Sequence, residues 1–183
     1  MRKQIKTKVE IPKEVEIIVK GNEVTVKGKN GEVKRKFQSD LKIENVDGFF
    51  EISHPKASKR EIKVANSIMA HIKNMIRGIQ NKFEYKMKVC FSHFPINVSV
   101  EDNRLLIKNF LGETKSREAA IPEDVEVVVN KDAIVISSSN REAAGQTAAN
   151  FERATKIKNR DRRVFQDGIF ITEKPQRELN EQN

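Results

Sequence analysis

The sequence predicts an α+β protein of two duplicated domains, each an antiparallel β-sheet packed by one main α-helix. Three observations support this fold class. Short stretches of alternating apolar and polar residues are separated by turn residues, as in β-hairpins. Two longer stretches repeat apolar residues every three to four positions, as amphipathic helices do. The second half of the chain repeats the order of the first, and helices covering one face of antiparallel sheets define the α+β class.

Length and composition agree with two small domains. The chain has 183 residues, of which 37% are apolar and 33% charged. A single cysteine, Cys90, excludes a disulfide framework and a thiolate metal cluster. No stretch approaches the ~20 apolar residues of a membrane span, and the basic N-terminus lacks the apolar block of a secretory signal. We therefore expect a cytosolic, soluble, basic protein without membrane partners.

The sequence of the first half predicts five strands. Three of the turns between them are tight and contain glycine. The G-x-x-G spacing of residues 28–31 also occurs in RNA-binding KH domains, where it joins two helices. Here it lies between two strands, so a hairpin turn is the better interpretation. The strands are predicted over residues 15–20, 24–27, 32–37, 42–46 and 49–53, and the tight turns at Gly21-Asn22, residues 28–31 and Asp47-Gly48.

A helix follows the strands in each half. Each is opened by the S-x-x-E spacing of a capping box, Ser58 with Glu61 and Ser139 with Glu142. Apolar residues then recur at helical steps to Ile79 in the first half and to Ala154 in the second.

Two registers of the internal repeat compete. An offset of 110 places Ile11-Pro12 over Ile121-Pro122 and gives more identities. An offset of 81 to 83 aligns the turns and the capping boxes instead. We prefer the shorter offset because it makes each half a set of hairpins closed by one helix. The pairs it aligns are Pro12 with Pro95, Gly31-Glu32 with Gly112-Glu113, Ser58 with Ser139 and Glu61 with Glu142.

The second half predicts strands over residues 83–91, 96–100, 104–108, 125–129 and 133–137. After its helix, Asp167-Gly168 predicts a tight turn into a short final strand over residues 169–171. The predicted domains are residues 1–82 and 83–172. Residues 173–183 lack an apolar pattern and predict a flexible tail.

The sequence predicts no enzyme, no cofactor and no metal site. His54, His71 and His93 are too far apart in the pattern to form a ligand set. Cys90 and His93 flank the end of a predicted strand, where packing or surface roles explain them better than a nucleophile and its base. The aromatic signature of RRM sheets is missing, and the eleven aromatic residues fall mostly in strands, which favours core packing over base stacking.

The positive charge is concentrated in two places. The formal net charge is +9, and residues 1–90 hold 21 Lys and Arg against 11 Asp and Glu, a net of +10. Residues 91–183 sum to −1, yet residues 153–163, here called the basic segment, hold six cations and one acid. The helix dipole favours one or two cations at a helix C-terminus. The surplus indicates a contact with a polyanion, RNA or DNA, and the predicted final strand would hold the segment in place.

These residues resemble the universal large-subunit ribosomal protein six, in its archaeal and eukaryotic branch, over almost the whole chain. The motifs that carry the resemblance are residues 71–78 (HIKNMIRG), 83–87 (FEYKM), 93–98 (HFPINV), 109–113 (NFLGE) and 163–171 (RVFQDGIFI). Two positions depart from the family pattern, since Arg153 stands where Gln is usual and Phe170 where Tyr is usual.

The resemblance implies a structural, non-catalytic protein of the cytoplasmic ribosome with two similar α+β domains. Its implied partners are large-subunit ribosomal RNA near the sarcin–ricin loop, neighbouring large-subunit proteins and translational GTPases in proximity. We expect a monomer off the ribosome. The resemblance implies RNA contact by Lys156, Lys158, Arg160, Arg162 and Arg163, with further candidates Gln166, Asp167, Gly168, Lys108, Asn109, Lys115 and Arg117.

The main alternative is a β-rich protein-interaction module, such as a chaperone-like sandwich that uses its strand edges. That class needs exposed apolar patches and tolerates loss of the basic segment. An RNA-binding protein does not tolerate that loss, so substitution of the segment separates the two hypotheses.

Overall fold

The computed structural model describes residues 3–46 and 48–176. Within these ranges the chain divides into two compact units, between Lys82 and Phe83. Each unit combines a helix with antiparallel strands, so the predicted α+β class is confirmed. The described strands of each unit form two sheets rather than the single sheet expected, because the first strand of each unit pairs with a strand far along the chain instead of with its neighbour. None of the helices described here combines the length and apolar character needed to cross a membrane.

The first unit contains two sheets: a three-stranded meander, and a second sheet in which the first strand of the unit pairs with the last. Its described elements are β1 (Lys3–Glu10), β2 (Glu16–Lys20), β3 (Glu23–Gly28), β4 (Gly31–Lys36), β5 (Lys42–Val46), β6 (Phe49–Ala57) and α1 (Lys59–Gln80). The sheets have the orders β2-β3-β4 and β1-β6-β5. Strand β1 was not predicted although Ile5, Thr7 and Val9 alternate with polar residues, because no turn residue marks its start. The predicted Asp47-Gly48 turn falls partly outside the described residues, but the strands on either side of it pair as a hairpin.

Helix α1 supplies much of the core of the first unit. The apolar positions predicted from Ala65 to Ile79 are buried, and Ile72 and Ile79 are fully so. They belong to one cluster with the inward side chains of the strands, among them Val24 and Phe50. Burial of each large apolar side chain stabilises the fold by about 1.5–3 kcal/mol.

The G-x-x-G stretch is a hairpin turn, as predicted. Gly28 pairs with Gly31 at the end of β3 and β4. The Asn30 side-chain amide donates to the carbonyl oxygen of Gln80 at 2.9 Å, which attaches the turn to the end of α1. A Cβ on Gly28 would clash with the side chain of Ile79 and lie 3.2 Å from the carbonyl oxygen of Glu14.

We expect Gly28→Ala to destabilise the first unit by about 1–3 kcal/mol, the usual cost of overpacking. The measurement is the free energy of unfolding in denaturant. Ile79→Ala removes the atoms that the new methyl group would meet, so Gly28→Ala should cost less in the Ile79→Ala background. If the losses of stability in the two single variants simply add in the double variant, Gly28 and Ile79 are not in close contact.

The second unit repeats this plan and adds one strand. Its described elements are β7 (Phe83–Cys90), β8 (Asn97–Glu101), β9 (Arg104–Lys108), a 3-10 turn (Phe110–Gly112), β10 (Arg117–Ala120), β11 (Glu126–Asn130), β12 (Ala133–Ser138), α2 (Arg141–Ala154) and β13 (Gly168–Glu173). The sheets have the orders β10-β9-β8 and β11-β12-β7-β13. Strand β10 was not predicted, because its four residues favour helix when taken alone.

The pairing order supports the shorter register of the repeat. Strands β2 to β4 correspond to β8 to β10, and the pairs β1·β6 and β6·β5 correspond to β7·β12 and β12·β11. Among the described strands, β13 alone has no counterpart in the first unit, and it occupies the other edge of β7. Strand β13 extends to Glu173, one residue into the predicted tail, of which residues 177–183 lie outside the described part.

The two helices begin differently. Ser58 and Glu61 form the predicted capping box of α1. Helix α2 is capped by Asn140 rather than by Ser139, so that prediction was wrong by one residue. The Asn140 side-chain oxygen accepts hydrogen bonds from the backbone N–H groups of Glu142 and Ala143, at 3.0 and 3.4 Å. Asn is as good an N-cap as Ser, so adjacent Ser and Asn leave the start of a helix ambiguous in sequence.

Candidate nucleic-acid-binding surface

The basic segment runs from the last turn of α2 into the connection to β13. Its six cationic side chains are all exposed: Arg153, Lys156, Lys158, Arg160, Arg162 and Arg163. The connection between α2 and β13 is not a free loop. It is anchored by hydrogen bonds at its start, in its middle and at its end.

The start of the segment is anchored to β13. Thr155 is 4% exposed, and its hydroxyl accepts a hydrogen bond from the backbone N–H of Ile169 at 3.0 Å. The backbone N–H of Ile171 donates to the Glu152 carboxylate at 3.0 Å. Strand β13 is therefore bonded to β7 along one edge and to side chains of α2 along the other. Ile157, between two of the lysines, packs against the core of the unit.

Arg117 provides a second anchor at the start. Its guanidinium donates to both carboxylate oxygens of Glu113, at 2.8 and 2.6 Å, and its Nη1 donates to the carbonyl oxygens of Ala154 and Lys156, at 2.9 and 3.2 Å. It also lies 4.2 Å from the centroid of the Phe110 ring. These contacts satisfy carbonyl groups that the end of α2 leaves unpaired.

The RNA contact that the resemblance implies for Arg117 stays a prediction, and these contacts favour a different role. A guanidinium has five N–H donors in a fixed fork, and this one is directed at Glu113 and the end of α2. The ion pair, together with the nearby charge of Arg160, holds the pKa of Glu113 below its usual value, the hydrogen bond from Arg117 being the largest cause. Arg117 is a positioning residue for the basic segment.

We expect Arg117→Ala to destabilise the second unit by about 2–4 kcal/mol, since it removes charge-assisted hydrogen bonds and leaves helix carbonyls without partners. RNA affinity should fall, while its dependence on salt concentration should change little, because Arg117 neutralises no phosphate. The measurements are denaturant unfolding and RNA titration at several salt concentrations.

Arg104→Ala is the matched control, because the exposed pair of Arg104 with Glu118 is worth little. A loss of affinity without loss of stability, accompanied by a shallower salt dependence, would show that Arg117 contacts RNA directly.

The middle of the segment forms a turn around Asp161. The Asp161 carbonyl oxygen accepts from the backbone N–H groups of Val164 and Phe165, at 3.1 and 3.0 Å, and its carboxylate accepts from the backbone N–H of Arg163 at 2.9 Å. Arg160 lies over the Phe165 ring, 4.7 Å from its centroid. Asp161, the one acid of the basic segment, is thus used to shape the turn.

The end of the connection between α2 and β13 is anchored by Asp167. This side chain is 3% exposed, and one of its carboxylate oxygens accepts hydrogen bonds from the backbone N–H and the hydroxyl of Ser92, at 3.1 and 2.8 Å. Gly168 is buried, pairs with Cys90 in the sheet and lies against the Phe170 ring. Their burial favours a structural role for Asp167 and Gly168, and the RNA contact that the resemblance implies for them stays a prediction. Gly168 begins β13 rather than completing a turn.

The five cations that are the main candidates for RNA contact are exposed to solvent: Lys156, Lys158, Arg160, Arg162 and Arg163. Within the described part of the chain, the side chains of Lys156, Lys158 and Arg162 pair with no carboxylate. Arg163 Nε lies 3.8 Å from the Asp161 carboxylate, and the Arg163 side chain is 93% exposed, so this ion pair contributes little to stability. The charge of the segment is therefore directed to solvent.

The remaining candidates differ in role. Gln166 is exposed, and its side-chain amide donates to the Arg163 carbonyl oxygen at 3.2 Å. Asn109 has a left-handed backbone conformation, with φ of 59°, and its side chain donates to the Pro95 carbonyl oxygen at 3.0 Å, so it shapes the 3-10 turn. Lys108 and Lys115 are exposed on either side of that turn.

Aromatic side chains beside the segment were missed by the sequence analysis. A groove of about 900 Å³ lies along the basic segment, and its lining includes three cations, two carboxylates and three phenyl rings: Arg153, Lys156, Arg162, Glu152, Asp167, Phe91, Phe165 and Phe170. Phe91 and Phe170 are 42% and 40% exposed, although aromatic residues in strands were expected in the core. Their placement at the end of β7 and on the face of β13 opposite the buried Ile169 was the available signal.

The structure gives no support to a nucleophile–base pair. Cys90 lies in β7 opposite Gly168, and the His93 ring packs edge-on against Phe94 with centroids 4.8 Å apart. Among the described residues these two side chains share no hydrogen bond.

Comparison with known proteins identifies the family. The family model for ribosomal protein L6 matches residues 11–82 and 94–168, one stretch in each unit. The large ribosomal subunit protein uL6 of Methanothrix thermoacetophila is 44% identical over 175 residues, which cover 95% of this chain and 99% of the relative. Proteins of the same name from Methanobrevibacter smithii and Methanococcus vannielii are 46% and 42% identical over 173 residues, which cover 93% of this chain and 96% and 94% of the relatives. The resemblance found in the sequence is confirmed, and the chain belongs to the ribosomal protein L6 family.

Proposed function

We propose that the second unit binds large-subunit ribosomal RNA through the basic segment, near the sarcin–ricin loop in the region where translational GTPases act. As a member of the ribosomal protein L6 family, the protein is a structural constituent of the large subunit in the cytoplasmic ribosome and not an enzyme. The observation that carries the proposal is the anchored basic segment, whose cations point to solvent while its backbone is held by Thr155, Arg117 and Asp167.

Electrostatics favours RNA as the ligand of this surface. Each lysine or arginine that neutralises a phosphate releases counterions, and this release drives binding. Base edges in an RNA duplex are hidden in a deep, narrow major groove, so recognition relies on backbone and shape. A fixed array of cations suits that task, because an anchored segment loses less conformational entropy on binding than a free tail.

The first unit also carries net positive charge, since residues 1–82 hold 19 Lys and Arg against 10 Asp and Glu, a net of +9. Several of its cations are already paired within the unit. Glu51 accepts from Lys6 and Lys8 at 2.7 and 3.2 Å, and Glu32 from Lys27 and Lys34 at 3.3 and 2.6 Å. We propose that this unit meets neighbouring large-subunit proteins or RNA, and that the free protein is a monomer.

Site-specific crosslinking tests where the basic segment lies. A photoreactive amino acid should crosslink to RNA of the sarcin–ricin region in purified large subunits when it replaces Lys158, which is exposed and forms no side-chain hydrogen bond or ion pair with the described residues. The same label at Lys131, an exposed turn residue of the second unit, is the matched control and should not give those crosslinks. Crosslinks from position 158 only to protein, or to RNA remote from that loop, would overturn the proposed location.

A further inference from the structure

The groove beside the basic segment combines cations with three aromatic rings, of which Phe91 and Phe170 are exposed and Phe165 is half-buried. Arg153, Lys156 and Arg162 line it together with Phe91, Phe165 and Phe170. Its volume of about 900 Å³ lies within the range of about 300–1,000 Å³ typical of ligand pockets in proteins. Phosphate neutralisation explains the cations and leaves the rings unexplained.

Two of the rings, Phe165 and Phe170, are held by contacts within the second unit. A Cβ on Gly168 would lie 3.0 Å from Cζ of Phe170, so the Phe170 ring lies closely against the glycine backbone. Phe165 is held by the turn around Asp161 and carries the Arg160 guanidinium over its ring. Elsewhere in the unit Phe110 and Phe151 are fully buried, which shows that the core has places for phenyl rings. Rigid exposed rings next to cations are typical of surfaces on which nucleic-acid bases stack.

Gln166 adds a group that can read a base edge. It is exposed and lines the same groove. One N–H of its side-chain amide donates to the Arg163 carbonyl oxygen, at 3.2 Å. The second N–H and the side-chain oxygen remain available among the described contacts, and a donor beside an acceptor is complementary to the edges of RNA bases.

We propose that the groove receives one unpaired nucleotide of the RNA held by the basic segment. Its base stacks on the phenyl rings, and its phosphate contacts Arg153, Lys156 or Arg162. The inference rests on the proposed RNA-binding function and adds the class of RNA feature recognised, a flipped-out or bulged base beside a duplex. An apolar peptide is a poorer occupant, because the three cations of the groove outnumber its two carboxylates, Glu152 and Asp167, which already accept hydrogen bonds from Ile171 and Ser92.

A pair of RNA hairpins tests this inference with the full-length protein. The two differ only in that one carries a single bulged adenosine in its stem. The protein should bind the bulged hairpin about 5- to 150-fold more tightly, the range expected for one base stacked on an aromatic side chain. Phe170→Leu, which keeps an apolar side chain without a ring, should remove this preference, and Phe170→Tyr should retain it. Unfolding curves of the variants check that the fold is intact.

Each result has a distinct meaning. Equal affinity for the two hairpins, or a preference that survives Phe170→Leu, would overturn the nucleotide groove while leaving the RNA-binding segment standing. Failure to bind either hairpin at low salt would count against the proposed function itself. Displacement of the bulged hairpin by an acidic peptide with a central phenylalanine, but not by adenosine monophosphate, would assign the groove to a protein partner and overturn the inference.

Discussion

Replacing Arg160, Arg162 and Arg163 together with glutamate is expected to weaken the binding of large-subunit ribosomal RNA by at least about 100-fold at 0.15 M salt. The loss of three phosphate contacts accounts for about that factor through counterion release, and the three new carboxylates add repulsion. The fold should survive, since these side chains are exposed and the backbone of the segment is anchored by other residues. The measurement is equilibrium titration of RNA with wild-type and variant protein.

The matched control makes an equal change of net charge in the first unit. Lys13, Lys20 and Lys29 are exposed residues of the first unit, and their side chains form no hydrogen bond or ion pair with other described residues. Their joint replacement by glutamate alters the net charge by the same amount. A similar loss of affinity in both triple variants would mean that net charge, and not the basic segment, governs binding. An unchanged affinity in the arginine variant would favour the protein-interaction alternative.

The second large effect is expected from Asp167→Ala. The substitution removes two hydrogen bonds to Ser92 at a site where Asp167 is 3% exposed, so we expect a loss of about 2–4 kcal/mol in the free energy of unfolding of the second unit. RNA affinity should fall by about tenfold, because ordering each released side chain on binding costs about 0.5–1.5 kcal/mol. Removal of a negative charge would by itself strengthen RNA binding, so a decrease cannot be a charge effect.

Glu123→Ala is the control for this variant, since it removes one carboxylate from an exposed position of the same unit. It should leave stability and affinity nearly unchanged. If Asp167→Ala unfolds no more easily than wild type, or if it binds RNA as tightly, the anchoring of the segment does not contribute to binding.

Local patterns were sufficient to predict most of the elements that carry the site. Helix α1 follows from its apolar spacing, and the hairpins follow from alternation and glycine turns. The final strand after the basic segment was also predicted, because residues 169–171 form an apolar run directly behind Asp167-Gly168. These features depend on neighbours in sequence, which single-sequence reasoning can see.

What could not be predicted depends on contacts between distant residues. The hydrogen bonds of Arg117 to carbonyl groups 37 and 39 positions away have no local signal in the sequence. The same holds for the buried Asp167, whose carboxylate accepts from a serine 75 positions away. The alternation of Phe170 with Ile169 indicates that Phe170 faces outward, but its place beside the cations of the basic segment depends on where α2 ends relative to β13.

Titrating the protein against its ribosomal RNA over a range of salt concentrations tests most directly whether the cations after α2 hold phosphates. If the six of them each neutralise one phosphate, the logarithm of the association constant should fall by about 4–5 units for each tenfold increase in salt. A slope close to zero would contradict the account.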